Sequence, residues 1–476
     1  MLPELEPPAL FLQPVKQSLF ILLLLGTLCV FSCRKDTLTS KEARISLSAD
    51  SLQFDTVFTS AGSTTRFFLI KNENRQAIRL TQVQLIGGSA SPFRMNVDGT
   101  PGTQFNDVEI EGNDSLYVFV KVNVTPNAQQ QPFVLRDSIA VEWNNNRSYL
   151  QLEAWGQNAV YLRNVRLQGN QVWNNQLPYV ILGGLVVDTN ATLTIQPGTR
   201  IHLNADAPLL VDGTLRVQGT KTDSVVFQSN RLDEPYRGFP GSWPGIYFRG
   251  SSRNNELTHA RILNAYQGIV AEQPSGNAQP KVILNNCILD NIFDVGLLGF
   301  NSSITANNCL ISNCGNNIAL VLGGNYQFNH CTVVSISNSY VTHKNPVVVA
   351  TNFTRINNQL VSAPLLANFT NCIIWGSEGF VENEILVRRE GTDPADVQLR
   401  HVLFRARTDP QHTSFVSVIR NINPAFDSVD VVRRFYDFRL QAGSPALNAG
   451  TPTSLLTDLN GLPRVGAPDL GCFERQ

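Results

Sequence analysis

The sequence predicts an all-β chain, an immunoglobulin-like β-sandwich followed by a right-handed single-stranded parallel β-helix. Three observations carry the prediction. Cys287, Cys309 and Cys331 recur at a step of 22 residues, each in one local frame: Asn286-Cys287-Ile288-Leu289, Asn308-Cys309-Leu310-Ile311 and His330-Cys331-Thr332-Val333. A fixed period of that length marks a solenoid. Residues 47–156 carry instead about seven short alternating runs parted by turn residues, as a sandwich requires. Composition allows both, with 42% hydrophobic and only 16% charged residues. The 37 Lys and Arg against 38 Asp and Glu argue against nucleic acid as a partner, which would favour a basic patch.

From the N-terminus, residues 18–32 (SLFILLLLGTLCVFS) form an apolar run that ends at Cys33. The run is marginal for a spanning helix, and its place in the chain fits a secretory core. Val30-Phe31-Ser32-Cys33 resembles a bacterial lipobox, departing from it at Phe31, where the usual residue is small or aliphatic. The resemblance implies a signal peptide over 1–33, acylation of Cys33, a linker over 34–46 and the membrane as a partner through the lipid. Acyl chains contribute about 0.8 kcal/mol per buried methylene, so several anchor stably. By the same resemblance, Arg34 after the Cys implies the outer membrane, and Arg34-Lys35-Asp36 is similar to the export tags of Bacteroidetes lipoproteins. The domains would then face the periplasm or the cell surface. An uncleaved membrane anchor is the alternative.

In 47–156 the runs Leu52-Gln53-Phe54, Arg66–Ile70, Ile78-Arg79-Leu80 and Leu116–Val120 read as strands, with Gly62, Gly87-Gly88, Gly99, Gly112 and Pro126 as turns. The order LxFxxV, FFLIKNxN, IxLTxVxL and VEIEGNDSLYVFVKVNVTP resembles the Hydin/choice-of-anchor group of immunoglobulin-like domains, which implies a spacer. Docking of a partner is the other reading.

Residues 157–435 hold the repeat. The frame returns as His259-Ala260-Arg261-Ile262, Asn371-Cys372-Ile373-Ile374 and His401-Val402-Leu403-Phe404. Three residues before each central position stand Leu257, Leu284, Ala306, Phe328, Phe369 and Leu399. The same step takes Leu193 to Leu215 and Ile195 to Val217. One coil cannot bury its inward face, whereas stacked coils close a continuous core. Asn286, Asn308 and Asn371, with His259, His330 and His401, form one column. They are expected to face outward or sit near a turn, with amides bonded along the ladder. Residues 185–227 and Ser242-Trp243-Pro244-Gly245-Ile246-Tyr247-Phe248 resemble right-handed β-helix proteins of the pectate-lyase-like superfamily. So does the tail, 436–476, through Phe438–Leu447, Asp458, Gly461, Arg464 and Asp469-Leu470-Gly471; its Gly471-Cys472-Phe473-Glu474 stands where Gly-Ala-Tyr-Glu is usual. The scaffold hosts lyases, hydrolases, adhesins and inert rods, so the resemblance specifies fold more than function.

Several residues could carry chemistry. Stacked Cys287, Cys309 and Cys331 would lie parallel, not convergent as zinc requires, and are expected to be buried free thiols. Cys314 and Cys472 have no obvious partner. Glycan hydrolysis needs carboxylates on neighbouring coils, and 285–382 offers Asp290, Asp294, Glu378 and Glu382. Asp188, Asp206, Asp212 and Asp223 are spread without a column, so no metal or other cofactor is expected. His343-Lys344 and Arg388-Arg389 lie where the 22-residue step breaks, and read as solvated loop charges or as walls of a cleft. In the excursion 236–248, Tyr236, Arg237, Phe239 and Trp243 are candidate ligand contacts, since aromatics stack on sugar rings and Arg meets anions. Trp243 also fits a packed rung. Thr37, Ser51, Thr56, Ser115, Ser138, Ser224 and Ser428, each after Asp and before an aliphatic residue, resemble the O-glycosylation acceptors of Bacteroidetes envelope proteins. Alternatively, Asp-Ser simply opens a strand. The expected function is a non-catalytic envelope lipoprotein that presents its β-helix to a glycan or protein partner. A polysaccharide lyase or hydrolase, or a structural rod, are the alternatives.

Overall fold

The computed structural model describes residues 37–59, 62–377 and 379–476. It divides into two compact units: the chain up to Gln53 with Ser63–Asn123 and Leu135–Glu153, and Phe54–Gly62 with Val124–Val134 and Ala154–Gln476. The proposed anchor at Cys33 lies outside the described residues. No helix among the described residues is long and apolar enough to cross a membrane.

The first unit is built on two five-stranded sheets. One runs Ile45–Leu47, Arg66–Asn72, Ser115–Val122, Phe93–Val97, Thr100–Gly102; the other includes Ile78–Leu85 between Phe133–Trp143 and Gln104–Ile110. Strand alternation puts Phe68, Ile70, Leu116, Val118 and Val120 inside, while Phe67, Lys71, Tyr117, Phe119 and Lys121 point out. Trp143 is buried, and its Nε1 donates to the Ala43 carbonyl at 2.9 Å.

The second unit is a parallel β-helix whose strands from Val160–Leu167 to Ile419–Arg420 make one continuous ladder of 26 strands. Each coil contributes to three faces. The first face aligns Leu193 with Leu215 and Ile195 with Val217, then Val217 with Leu257, Leu284, Ala306, Phe328, Phe369, Leu399 and Phe415. Apart from the last, these side chains are buried in one core. Phe328 and Phe369 stack with ring centroids 4.6 Å apart. The second face stacks Ile262, Leu289, Ile311, Val333, Ile374 and Phe404. The right hand follows from the chirality of parallel crossovers.

The corners explain the Asn/His column. His259, Asn286, Asn308, His330, Asn371 and His401 turn the chain from the first face to the second with φ between +46° and +54°. Left-handed backbone strains most residues, and Asn and His are enriched there. A second corner uses Asn264, Asn291 and Asn313 in the same way. Amides do bond along the ladder, Asn308 Nδ2 to Asn286 Oδ1 at 3.2 Å and Asn291 Nδ2 to Asn264 Oδ1 at 2.7 Å. The column is not solvated throughout, however: Asn308, His330 and Asn371 are buried. The C-terminal tail covers them. Asn371 Nδ2 donates to Thr451 O at 2.7 Å, Asn308 Nδ2 to Thr457 O at 2.8 Å, and His401 Nδ1 lies 2.9 Å from Ala449 O.

That tail begins with the hairpin Phe426–Asp430 and Phe435–Leu440. It buries Phe438, Leu440, Leu459, Leu470 and Cys472 against Leu310, Val334, Ile373, Trp375 and Leu403, apolar residues of the second face that lie outside the main core. Its family-like residues tie it into a knot. Asp458 accepts from Leu462 N (2.7 Å) and Glu474 N (2.9 Å), Asp469 from Asn448 N (2.7 Å) and Arg475 N (2.8 Å), and Arg464 pairs with Glu474 at 2.7 Å. These carboxylates are a structural clasp.

Candidate functional site

The excursion that leaves the second face after Ser229 rests on the second corner. Asn264 Nδ2 donates to Arg237 O at 2.8 Å and Asn291 Nδ2 to Gly238 O at 2.9 Å, so the ladder that closes the coils also holds this loop. Tyr236, 44% exposed, lies under the Arg231 guanidinium, 4.0 Å from its ring centroid, and packs edge-on to Phe239 at 5.4 Å. Phe239 reaches Tyr340 at 5.1 Å, and Arg434 covers Tyr340 at 4.1 Å. Arg434 also donates to Gly238 O at 3.1 Å. Three segments far apart in sequence thus build one patch in the order Arg231, Tyr236, Phe239, Tyr340, Arg434. Arg237 stands exposed beside it, paired with Glu234. Nearby, Tyr266 and Phe293 stack at 5.6 Å, both exposed.

Of the four candidate contacts, Tyr236 and Phe239 lie in this patch and Arg237 beside it. Trp243 does not. It is 1% exposed and donates Nε1 to Leu263 O at 2.8 Å, so it belongs to the core and shows no ring face to a ligand. Tyr340 and Arg434 were missed. The only sequence signal was that Tyr340 precedes His343-Lys344 in an excursion where the coil length breaks.

His343 corrects another expectation. It is not a solvated loop charge: its side chain is 1% exposed and its Nε2 lies 3.0 Å from Oε1 of Glu384, itself fully buried, with Arg405 Nη1 3.9 Å from the same oxygen. Gly376 makes room, since a Cβ there would stand 2.3 Å from both His343 Nε2 and Glu384 Oε1. Burial bars substrate, so the pair pins the excursion to the coil beneath. Lys344 is exposed. Arg389 caps its own loop, donating to Asp393 O at 3.0 Å.

The remaining acids are engaged locally. Asp212 pairs with Arg249, and Asp188 with Arg166 at 2.7 Å. Asp206 accepts from Gly183 N at 3.1 Å, and Asp223 accepts from Thr222 Oγ1 at 2.8 Å while its backbone N donates to Thr220 Oγ1 at 3.0 Å. Glu382 pairs with Arg407 at 2.8 Å, and Asp294 accepts from Gln267 at 2.9 Å. Asp290 takes Ser312 Oγ at 2.6 Å, and burial raises its carboxyl pKa. Glu378 lies outside the described residues. No group of three or more His, Cys, Asp or Glu among the described residues could hold a metal ion.

Cys287, Cys309, Cys314, Cys331, Cys372 and Cys472 are all buried and free. The column has a bonding rule: Cys287 Sγ donates to Leu257 O (3.2 Å), Cys309 to Leu284 O (3.7 Å), Cys331 to Ala306 O (3.5 Å) and Cys372 to Phe328 O (3.5 Å). Each thiol caps a carbonyl of the preceding coil. Burial pushes the Cys287 and Cys331 thiols up and Cys472 up to about 12, the opposite of an activated nucleophile.

Of the glycosylation candidates, Ser51 is exposed, while Thr37, Thr56, Ser115, Ser138, Ser224 and Ser428 are half-buried. Ser51 and Ser115 are the first residues of their strands, and Ser224 directly precedes Val225–Ser229.

Residues 165–279 match the family described as "Pectate-lyase like beta helix domain". The comparison with curated proteins finds no significant match. Among solved structures, a family 123 glycoside hydrolase from Clostridium perfringens is 10% identical over 28% of this chain and 30% of its own, with a TM-score of 0.19. This chain therefore spans less than a third of that hydrolase. The CooA pilin subunit of enterotoxigenic Escherichia coli is 9% identical over 24% of this chain and 97% of its own, TM-score 0.18. The Salmonella enterica SafA pilin, solved with the SafB chaperone, is 11% identical over 25% and 56%, TM-score 0.16.

Proposed function

We propose that the chain is a non-catalytic envelope lipoprotein, anchored through Cys33 in the outer membrane, that presents the patch around Tyr236 and Phe239 to a glycan. One observation carries the reading: three separate segments converge on a row of three aromatic rings with a guanidinium group at each end. Rings offer faces for the C–H surface of a sugar; Arg231 is forked onto Asp233, while Arg434 spends one donor on Gly238 O and brings the guanidinium that a hydroxyl or carboxylate of the ligand would meet. The pectate-lyase-like β-helix is compatible with a glycan ligand, and the carboxylates near the patch are held in ion pairs and turns.

The test incubates the full detergent-solubilised chain with a panel of polysaccharides, scoring retention and new chain ends together. Retention without new ends is expected. Tyr236→Ala with Phe239→Ala should weaken retention roughly tenfold or more, since a stacked ring contributes about 1 kcal/mol. New chain ends would replace the reading by a lyase or hydrolase, and neither signal would leave a structural rod. Radiolabelled palmitate absent from wild type, or present equally in Cys33→Ala, would remove the anchor.

A further inference from the structure

The sandwich carries an aromatic shelf of its own, on the outer face of the sheet that contains Arg66–Asn72 and Ser115–Val122. Phe67, Tyr117 and Phe119 are 52%, 47% and 38% exposed. Their ring centroids are 5.5, 6.0 and 5.9 Å apart, with the Tyr117 and Phe119 planes only 14° from parallel. Register explains the grouping: Phe67 pairs with Phe119 and Leu69 with Tyr117, so side chains on adjacent rungs share one face.

The strands of that face carry cations and no carboxylate, and acids gather past one end of it. Lys121 pairs with Arg94 one rung beyond Phe67 and Phe119, and Lys71 with Ser115 one rung beyond Leu69 and Tyr117. All three cations are exposed. Glu73, Asp98 and Asp114 stand just past the strand ends on the Tyr117 side, and Glu73 takes Ser46 Oγ at 2.6 Å beside Lys71, the residue that Ser46 pairs with. On the sandwich's other sheet the charges are matched instead, as Arg79–Glu109, Arg136–Glu153 and Arg147–Glu142. A contiguous exposed apolar patch is a common mark of a binding surface.

We infer that this shelf binds an acidic polysaccharide, with sugar rings against Tyr117, Phe119 and Phe67 and a carboxylate meeting Lys121 and Arg94 at the end away from those acids. The three exposed rings supply apolar surface, and the Lys121–Arg94 pair selects a polyanion over a neutral chain. The site is separate from the β-helix patch and does not rest on it.

The test uses the full chain in detergent, with polygalacturonate and alginate as acidic probes and dextran as the neutral one, in affinity electrophoresis. Acidic polymers should retard the protein and dextran should not. Tyr117→Ala with Phe119→Ala should weaken retardation by about tenfold. Lys121→Gln with Arg94→Gln should weaken it and flatten its salt dependence. Both pairs are on an exposed face and should keep the thermal midpoint, which is measured alongside. Tyr236→Ala with Phe239→Ala, run in parallel, separates this site from the patch: residual binding lost only in that variant overturns the shelf. So does equal binding by the shelf variants, or no retardation by either acid polymer. Sedimentation of the same samples reports a second copy as occupant: a dimer abolished by Tyr117→Ala with Phe119→Ala, without polymer binding, also overturns the inference.

Discussion

Cys309 shows how much one atom does in a stacked core. Its sulfur fills space between Cys287 and Cys331 and donates to Leu284 O in the coil before. Cys309→Ala removes that packing and leaves a buried carbonyl with one partner fewer, so a loss of roughly 1–2 kcal/mol in urea unfolding is expected. The six described thiols should also stay silent to an aromatic disulfide reagent until the β-helix unfolds; fast reaction in the native state would contradict their burial. Two histidines set a pH dependence. Burial pulls His202 down to about 4, and burial with the Arg464 charge pulls His330 down to about 3, both from an ordinary 6.5. Both are neutral in the folded protein where the unfolded chain takes up protons. Stability should therefore be intact above pH 6.5 and fall as pH drops from there towards 4, by at most about 1.4 kcal/mol per pH unit for each histidine. Carboxylates also titrate below pH 5, so the measurement is the difference in slope between wild type and His202→Gln, between pH 7 and 5; an unchanged slope would refute the assignment.

At the scale of elements, the turn between the first and second faces carries two duties. Asn371 holds φ +54° to close its coil, and its amide bonds Thr451 from both ends, Nδ2 to Thr451 O at 2.7 Å and Oδ1 from Thr451 N at 2.9 Å. Asn371→Gly keeps the backbone conformation and deletes the clasp, with an expected loss of about 2–3 kcal/mol. Tail proteolysis should then precede unfolding of the coils. Cleavage no faster than in wild type would show the tail held by its apolar contacts alone. This element marks what the sequence allowed. The 22-residue step, the aligned columns from Leu257 to Leu399 and the alternation in the sandwich were all legible, because they repeat locally. The reason for Asn and His in one column was half legible: a turn was expected, while the left-handed backbone and the tail covering it were not. Asn371 meets Thr451 80 residues later and Asn308 meets Thr457 149 residues later, and no local pattern announces such pairings. The same holds for the candidate site, where Tyr236 and Phe239 were visible as an aromatic loop but Tyr340 and Arg434 join them only through folding.

At the scale of the whole β-helix, the core is a single stack in which each coil touches its neighbours. Phe328 lies between Ala306 on one side and Phe369 on the other, with the Phe369 ring stacked on it at 4.6 Å. Stability of such an array is close to a sum of coil terms and nearest-neighbour interfaces. Phe328→Ala therefore removes one side chain but weakens two interfaces, at a cost of about 3–5 kcal/mol. The same change at Phe415 weakens only one, because the ladder's final first-face strand, Thr413–Val416, has a neighbour on one side only. Hydrogen exchange separates this picture from a single cooperative block. Protection in Phe328→Ala should fall most in Asn316–Asn329 and Leu365–Thr370 and recover towards Thr192–Ile195, many coils away. The tail complicates the middle of the array, since its knot spans Asn308, His330 and Asn371 and couples coils that are not neighbours. Coils under the tail should accordingly lose protection together, and those before Ile288 should respond coil by coil. A uniform loss over the whole ladder would mean that coupling between coils exceeds the stability of any one of them, and the nearest-neighbour account would fail.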